Sequence, residues 1–299
     1  MDRSASTIYD EWKRNRVKGS YDPKKAHHKA YVRRRQAKYQ GMKIVEHDVL
    51  RKEIMRRLYD DQSPESIAGR VRRNPMLPSI SKDAIYRFIG SVYGRRIEAH
   101  RWKKKSRRRS RHAKSAQLTN RRFVEKRPAY INARKRIGDA EADFIASGRS
   151  GKGILLVVVD RKSRMTFIER ISRPNIPNVH AAFLNIQARF GEITTLTMDN
   201  DILFAKHEEL ARLLGIGIYF CHPYHSWEKG TVENANKVIR RDIPKGSDIS
   251  TRSTRFIGRL EQKLNRRPMK CLDYRTPAEI LKAYRKRRNK KNAMSVHSD

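Results

Sequence analysis

From His47 onward, apolar residues recur at helical spacing. Val49, Leu50, Ile54 and Leu58 lie along one stretch, followed by the caps of "QSPESIAGRV" and "SISKDAIYRFIG". Ser63 before Pro64 and Glu65 has the form of a helix start, with the cap, the proline and an acid in the first turn each in its preferred place. The third position holds Ser66 rather than Glu or Gln, so the reciprocal capping box is incomplete. Ser81 caps a further helix. Its periodicity turns Ile85, Phe88 and Ile89 inward and Lys82, Asp83, Tyr86 and Arg87 outward. The spacing therefore predicts an all-α unit over 43–100, with the last helix placed to enter a major groove as in a helix-turn-helix. Residues 1–42 are short, basic and helical in pattern, with an N-cap in the run Ser4 to Ile8.

Past residue 130 the texture changes from helical to alternating. The runs 140–146, 153–161 and 165–171 read as three β-strands separated by Gly- and Ser-containing turns. A helix over 178–191, a strand over 194–200, a helix ending at Gly215 and a strand over 217–221 follow. Three hairpin-linked strands and then alternating helix and strand predict a mixed five-stranded sheet covered by helices. This is the element order of a ribonuclease H-like α/β core, here over 131–282. The run "RWKKKSRRRSRH" is too charged to pack. It reads as part of a basic linker over 101–130, with Arg107, Arg108 and Arg109 tracking phosphates. Residues 283–299 read as a basic disordered tail.

Charge sharpens the picture. The 299 residues carry 70 Lys+Arg against 31 Asp+Glu, a net +39 with a pI near 10.8. An excess of this size attracts polyanions, and counterion release makes double-stranded DNA the expected partner. A ribosomal or chromatin filler and a membrane-surface protein fit less well, because 37% of residues are apolar and they cluster in runs such as Ile154 to Val159. No stretch approaches the ~20 apolar residues of a membrane span, and the N-terminus lacks a signal-peptide core. A cytoplasmic, nucleoid-associated protein is expected. Cys221 and Cys271 form no metal-ligand pattern.

Ligands of mixed sheets bind at strand ends. Asp143 lies in the first strand, Asp199 closes the fourth, and Glu233 begins the helix after the fifth, with thirty-three residues between the last two. This element order sets the first and fourth strands side by side and lays the helix across their ends. Three converging carboxylates repel one another unless cations sit between them. Two Mg²⁺, with Mn²⁺ as a substitute, would serve and would suit phosphodiester chemistry. Strand alternation leaves Asp139 and Glu141 as alternatives for the first carboxylate. Lys237, Arg240 and Arg241 follow Glu233 on one helical face as candidate phosphate contacts. In "HPYHSWEKG", His225 and Trp227 are candidate DNA contacts; zinc is disfavoured there because Cys and His do not recur at ligand spacing.

The blocks "IGDAEADFIA", "TLTMDN", "HPYHSWEKGTVENANKVIRRDIPKGSD" and "LNRRPMKCLDYRTPAEI" together resemble the insertion-sequence transposases of the IS-thirty family, relatives of retroviral integrases. The resemblance implies a DDE transposase with Asp143, Asp199 and Glu233 as catalytic metal ligands. It also implies binding of terminal inverted repeats, Mg²⁺-dependent cleavage and strand transfer into target DNA, and assembly as a homodimer or higher oligomer. The family begins with a complete helix-turn-helix, whereas "SASTIYDEWKRN" resembles only its final helix, and Asn200-Asp201 and Ala140 depart from its pattern. A truncated, inactive copy acting as a DNA-binding regulator is the second expectation.

Overall fold

The computed structural model describes residues 3–16, 19–37, 42–94, 96–97, 118–148, 151–223 and 225–296. They fall into two compact units, one within Met1–Arg101 and one within Trp102–Asp299.

The first unit is helical: α1 (Ala5–Asn15), α2 (Pro23–Ala37), α3 (Met42–Glu46), α4 (Asp48–Tyr59), α5 (Pro64–Arg72) and α6 (Lys82–Ile89). The serine caps act as the sequence requires, the Ser63 and Ser81 hydroxyls accepting from the Ser66 and Ala84 amides. Leu50, Ile54 and Leu58 meet Ile67, Val71, Ile85 and Phe88 in one core. Val49 does not join it and is 62% exposed, because the register that buries Leu50 and Ile54 rotates Val49 to solvent.

The second unit is built on strands β1 (Asp139–Ala146), β2 (Ile154–Asp160), β3 (Thr166–Ile171), β4 (Thr195–Met198) and β5 (Gly217–Phe220), in the order β3-β2-β1-β4-β5. β1, β2 and β3 are antiparallel neighbours, while β1, β4 and β5 run parallel. Besides a single helical turn at Ala129–Asn132, the helices described are α7 (Ile176–Phe190), α8 (His207–Leu214), α9 (Gly230–Asp242), α10 (Thr254–Asn265) and α11 (Pro277–Val296). This is the ribonuclease H-like core. β2 is buried along its whole length because both its faces are covered. Ile154, Leu156 and Val158 pack with Val179, Phe183 and Ile186 of α7. Leu155, Val157 and Val159 pack with Val232, Ile239, Ile257 and Leu260 of α9 and α10.

β1 follows the same alternation. Ala140 and Ala142 belong to the α7 side and Ile145 to the α9 side. Asp139, Glu141 and Asp143 therefore share the α9 face. The strand is preceded by Gly138, whose φ of +107° and closeness to the Glu192 carbonyl leave no room for a β-carbon. β3 is an edge strand, and α10 covers its outward polar groups. Asn265 accepts from the Thr166 amide at 2.8 Å and donates to the Thr166 carbonyl at 2.7 Å, and Glu261 accepts from the Ile168 amide at 2.7 Å.

Two expectations need correction. The tail from 283 is not disordered where it is described. α11 runs to Val296, held by Leu281 in the core, by Arg285 donating to the Phe190 carbonyl and by Arg288 paired with Glu192. Nor is the end of the presumed linker loose: Leu118 and Val124 are buried, and Phe123 bridges to Phe220 of β5. In both places a few apolar residues and specific carbonyl or carboxylate partners outweigh the local charge density.

Phe183, fully buried on the α7 side, tests this packing. Phe183→Ala should cost about 3–5 kcal/mol in urea unfolding. A loss below about 1 kcal/mol would mean that this core is not close-packed.

Candidate active site

The three acids that strand alternation could not tell apart have separate tasks. Asp139 Oδ1 accepts from Arg136 and from the Thr195 hydroxyl, both at 2.7 Å, and ties the start of β1 to β4. Glu141 is fully buried. Its Oε1 accepts from Arg161 Nε at 3.0 Å, and its Oε2 accepts from the backbone amides of Thr231 and Val232 at 2.8 and 3.0 Å. These amides belong to the first turn of α9, so a strand carboxylate caps the helix in place of a local side chain. Asp143, two residues on, reaches the far side of that turn. Its Oδ1 accepts from Lys229 Nζ at 2.8 Å and its Oδ2 from Asn236 Nδ2 at 2.7 Å. Asp160, the other nearby acid, holds the turn after β2 by accepting from Gly138 and Ser163.

Lys229 joins the site together. Its ammonium also donates to Asp199 Oδ2 at 2.7 Å, so acids from β1 and from the end of β4 meet on one cation. Burial pulls the Lys229 pKa down, but Asp143 and Asp199 more than compensate and hold it above its ordinary value. Burial raises the Asp143 carboxyl, Lys229 opposes the rise, and the Asp199 charge adds to it. Asp199 Oδ1 and Asn236 Oδ1 are buried with no hydrogen-bond partner among the described residues. Asp201 accepts from the Leu203 amide at 2.9 Å and caps the turn after Asn200; burial raises its carboxyl, and the nearby Asp199 charge adds to the rise.

Glu233 lies four residues after Lys229 and three before Asn236, and both of these touch Asp143. It therefore shares their face of α9. Its Oε1 pairs with Lys237 at 3.0 Å, with side chains 38% and 60% exposed respectively. Arg240 donates to the Ala146 carbonyl at 2.9 Å, its Nη1 has no partner among the described residues, and burial lowers its pKa. Arg241 is half-buried. Trp227 is 69% exposed and packs against His225, their ring centroids 4.4 Å apart. In the helical unit, Lys82, Tyr86 and Arg87 lie on the exposed face of α6. Arg107, Arg108 and Arg109 lie outside the described residues.

Sequence reasoning missed Lys229 and Arg161, and it named Glu141 only as an alternative for the first carboxylate, not as the cap of α9. The one signal for Lys229 is its position a helical turn before Glu233.

The sheet order, with acids from two adjacent parallel strands gathered under one helix, defines a core of the transposase and integrase class. No protein-family model matches the chain. The transposase for insertion sequence element IS4351 of Bacteroides fragilis is 39% identical over 285 residues, spanning 93% of this chain and 86% of that protein. Transposase InsI for insertion sequence element IS30A of Escherichia coli is 30% identical over 302 residues, spanning 94% and 76%. Among solved structures, the catalytic core domain of BIV integrase aligns with a TM-score of 0.39 at 20% identity, covering 51% of this chain and 98% of that one. The chain belongs to the IS30 family of insertion-sequence transposases, enzymes of the polynucleotidyl transferase class that act on DNA.

Lys229→Met would leave Asp143 and Asp199 without their shared cation. Losing one partner of a fully buried pair costs roughly 3–5 kcal/mol, and the 38% exposure of Asp199 reduces this to about 2 kcal/mol. The variant should melt lower than wild type in EDTA and recover on addition of Mg²⁺. Equal melting in EDTA would show that the ammonium does not hold the acids together.

Proposed function

We propose that this transposase binds the terminal inverted repeats of its element and catalyses Mg²⁺-dependent end cleavage and strand transfer, with Asp143, Asp199 and Glu233 as the catalytic metal ligands. The observation that carries the reading is the meeting of Asp143 and Asp199 on one cation, with Glu233 on the same helix face. The residues fit hard cations: the donors are carboxylate oxygens, a positive charge already balances two of them, and Asp199 Oδ1 is buried without a partner. Two Mg²⁺, or Mn²⁺, bound there would supply Lewis-acid activation of the attacking oxygen and neutralisation of charge on the leaving one.

The chain's own residues set the geometry. Asn236 fixes one oxygen of Asp143, and Glu141 fixes the start of α9 and hence the height of Glu233 above the sheet. Lys237, Arg241 and the unsatisfied edge of Arg240 bind backbone phosphates, and His225 and Trp227 bind exposed nucleotides. In cleavage, a water oxygen displaces the bridging 3′ oxygen at the element end and leaves a 3′-hydroxyl. In transfer, that hydroxyl displaces the corresponding oxygen of a target phosphodiester. One phosphodiester breaks for each one formed, so strand transfer needs no energy-rich cofactor.

Residues 43–100 act as the helix-turn-helix unit, with Lys82, Tyr86 and Arg87 of α6 facing the major groove. The basic run that includes Arg107, Arg108 and Arg109 follows phosphates, and the second unit, with the buried Leu118 and Val124 and helix α11, forms the catalytic core. The protein works in the cytoplasm on nucleoid DNA as a homodimer or higher oligomer, since two ends must be held together.

The test is cleavage and joining of DNA taken from the flanks of the gene, comparing wild type with Glu233→Gln. Loss of a direct ligand should cost at least as much as loss of an outer-shell partner, so joined product should fall by about 100-fold or more while DNA binding persists. Full joining by the variant would remove Glu233 from the site. Binding without cleavage by wild type, in Mg²⁺ or Mn²⁺, would mark the chain as a DNA-binding regulator.

A further inference from the structure

The segment between β5 and α9 carries a second cluster of donors, chemically unlike the first. His222, His225 and Glu228 each offer one ligand atom, and these atoms lie within 4.8 Å of one another. The backbone explains why. The His225 amide donates to the His222 carbonyl at 3.2 Å and the Glu228 amide to the His225 carbonyl at 3.1 Å, leading into the 3₁₀ turn Ser226–Lys229. With three residues per turn, side chains three apart eclipse one another, so positions 222, 225 and 228 stack on one side.

The donors converge. His222 Nδ1 lies 3.0 Å and His225 Nδ1 3.5 Å from the same Glu228 Oε1. Donors on a tetrahedral ion with bonds of roughly 2.0–2.1 Å stand about 3.3 Å apart. The outer contacts also suit a metal. Glu125 takes the opposite ring nitrogen of His222, with Nε2 2.5 Å from its Oε1, which leaves Nδ1 as the ligating nitrogen. Phe123 stacks on the His222 ring at 4.9 Å, and the second oxygen of Glu228 accepts from the His222 amide at 2.8 Å. Side-chain exposures of 27%, 43% and 17% for His222, His225 and Glu228 leave a fourth position open to water.

We propose that His222, His225 and Glu228 form a zinc site separate from the Asp143, Asp199 and Glu233 centre. Two imidazoles and a carboxylate select a borderline ion such as Zn²⁺, whereas the all-oxygen centre selects Mg²⁺. Counting Cys and His along the sequence misses the site because its third ligand is a glutamate. Bound zinc would fix the segment that ends at Lys229, setting the ammonium between Asp143 and Asp199 and holding Trp227 outward. This proposal goes beyond the transposition chemistry and stands or falls without it.

The experiment uses untagged, metal-stripped full-length protein. Zn²⁺ is titrated against a chromophoric chelator, and Co²⁺ is added to read the d–d absorption of a four-coordinate site. One equivalent of Zn²⁺ should bind in the presence of excess Mg²⁺. His225→Ala should weaken binding more than about tenfold and remove the Co²⁺ band, Glu125→Gln should weaken it by about 10-fold or more, and Asp199→Asn should leave it unchanged. The exposed His225 position keeps the fold intact, as circular dichroism would confirm. Absence of Zn²⁺ binding by wild type, equal binding by His225→Ala, or loss of binding in Asp199→Asn would each overturn the assignment.

Discussion

The buried carboxylate of Glu141 at the first turn of α9 is the contact on which the placing of Asp143, Lys229 and Asn236 depends. A carboxylate with no exposed surface is tolerable only when it is fully bonded, and Arg161 together with two α9 amides provides this. The bond is also positional. It joins β1 to the helix at one register, so every side chain along α9 has a defined height above the strand. Asp143, two residues along the strand, then meets Lys229 before the helix and Asn236 inside it. A slip of one residue in β1 would turn Glu141 and Asp143 into the α7 core, which accepts only Ala140, Ala142 and their neighbours.

The charge distribution extends this logic. In a chain with net charge +39, four carboxylates are buried among the described residues and each has a specific partner: Asp139 with Arg136, Glu141 with Arg161, Asp160 with Ser163 and Glu192 with Arg288; the less buried Asp143 and Asp199 share Lys229. These few inward acids sit where the fold uses them, at the start of β1, under α9, at the turn after β2 and against α11.

The sheet and its order were legible in the sequence because period-2 runs and Gly-bounded turns are local signals, and the serine caps were legible because a hydroxyl and a proline act within one turn. Asp143 and Asp199 could be nominated from strand ends, and the family resemblance alone preferred Asp143; that Glu141 caps α9 while Asp143 meets Lys229 is a long-range fact that alternation does not carry. Lys229 was one basic residue among 70, and its one local signal, a place a helical turn before Glu233, does not tell that it lies between Asp143 and Asp199. The helical continuation past residue 283 was hidden for the opposite reason: composition registers the solvated lysines and arginines, while the few contacts of Leu281, Arg285 and Arg288 decide the conformation.

The outer border of β3 presents no ready template to another chain. Asn265 and Glu261 occupy the Thr166 and Ile168 groups that would otherwise recruit a foreign strand, and at the opposite border Arg122 and Phe123 lie along Phe220. At those positions the backbone groups are already bonded within the chain, so a foreign strand would have to displace Asn265, Glu261 or Arg122 to pair there. An assembly that leaves these contacts in place must therefore use surfaces other than these stretches of sheet border.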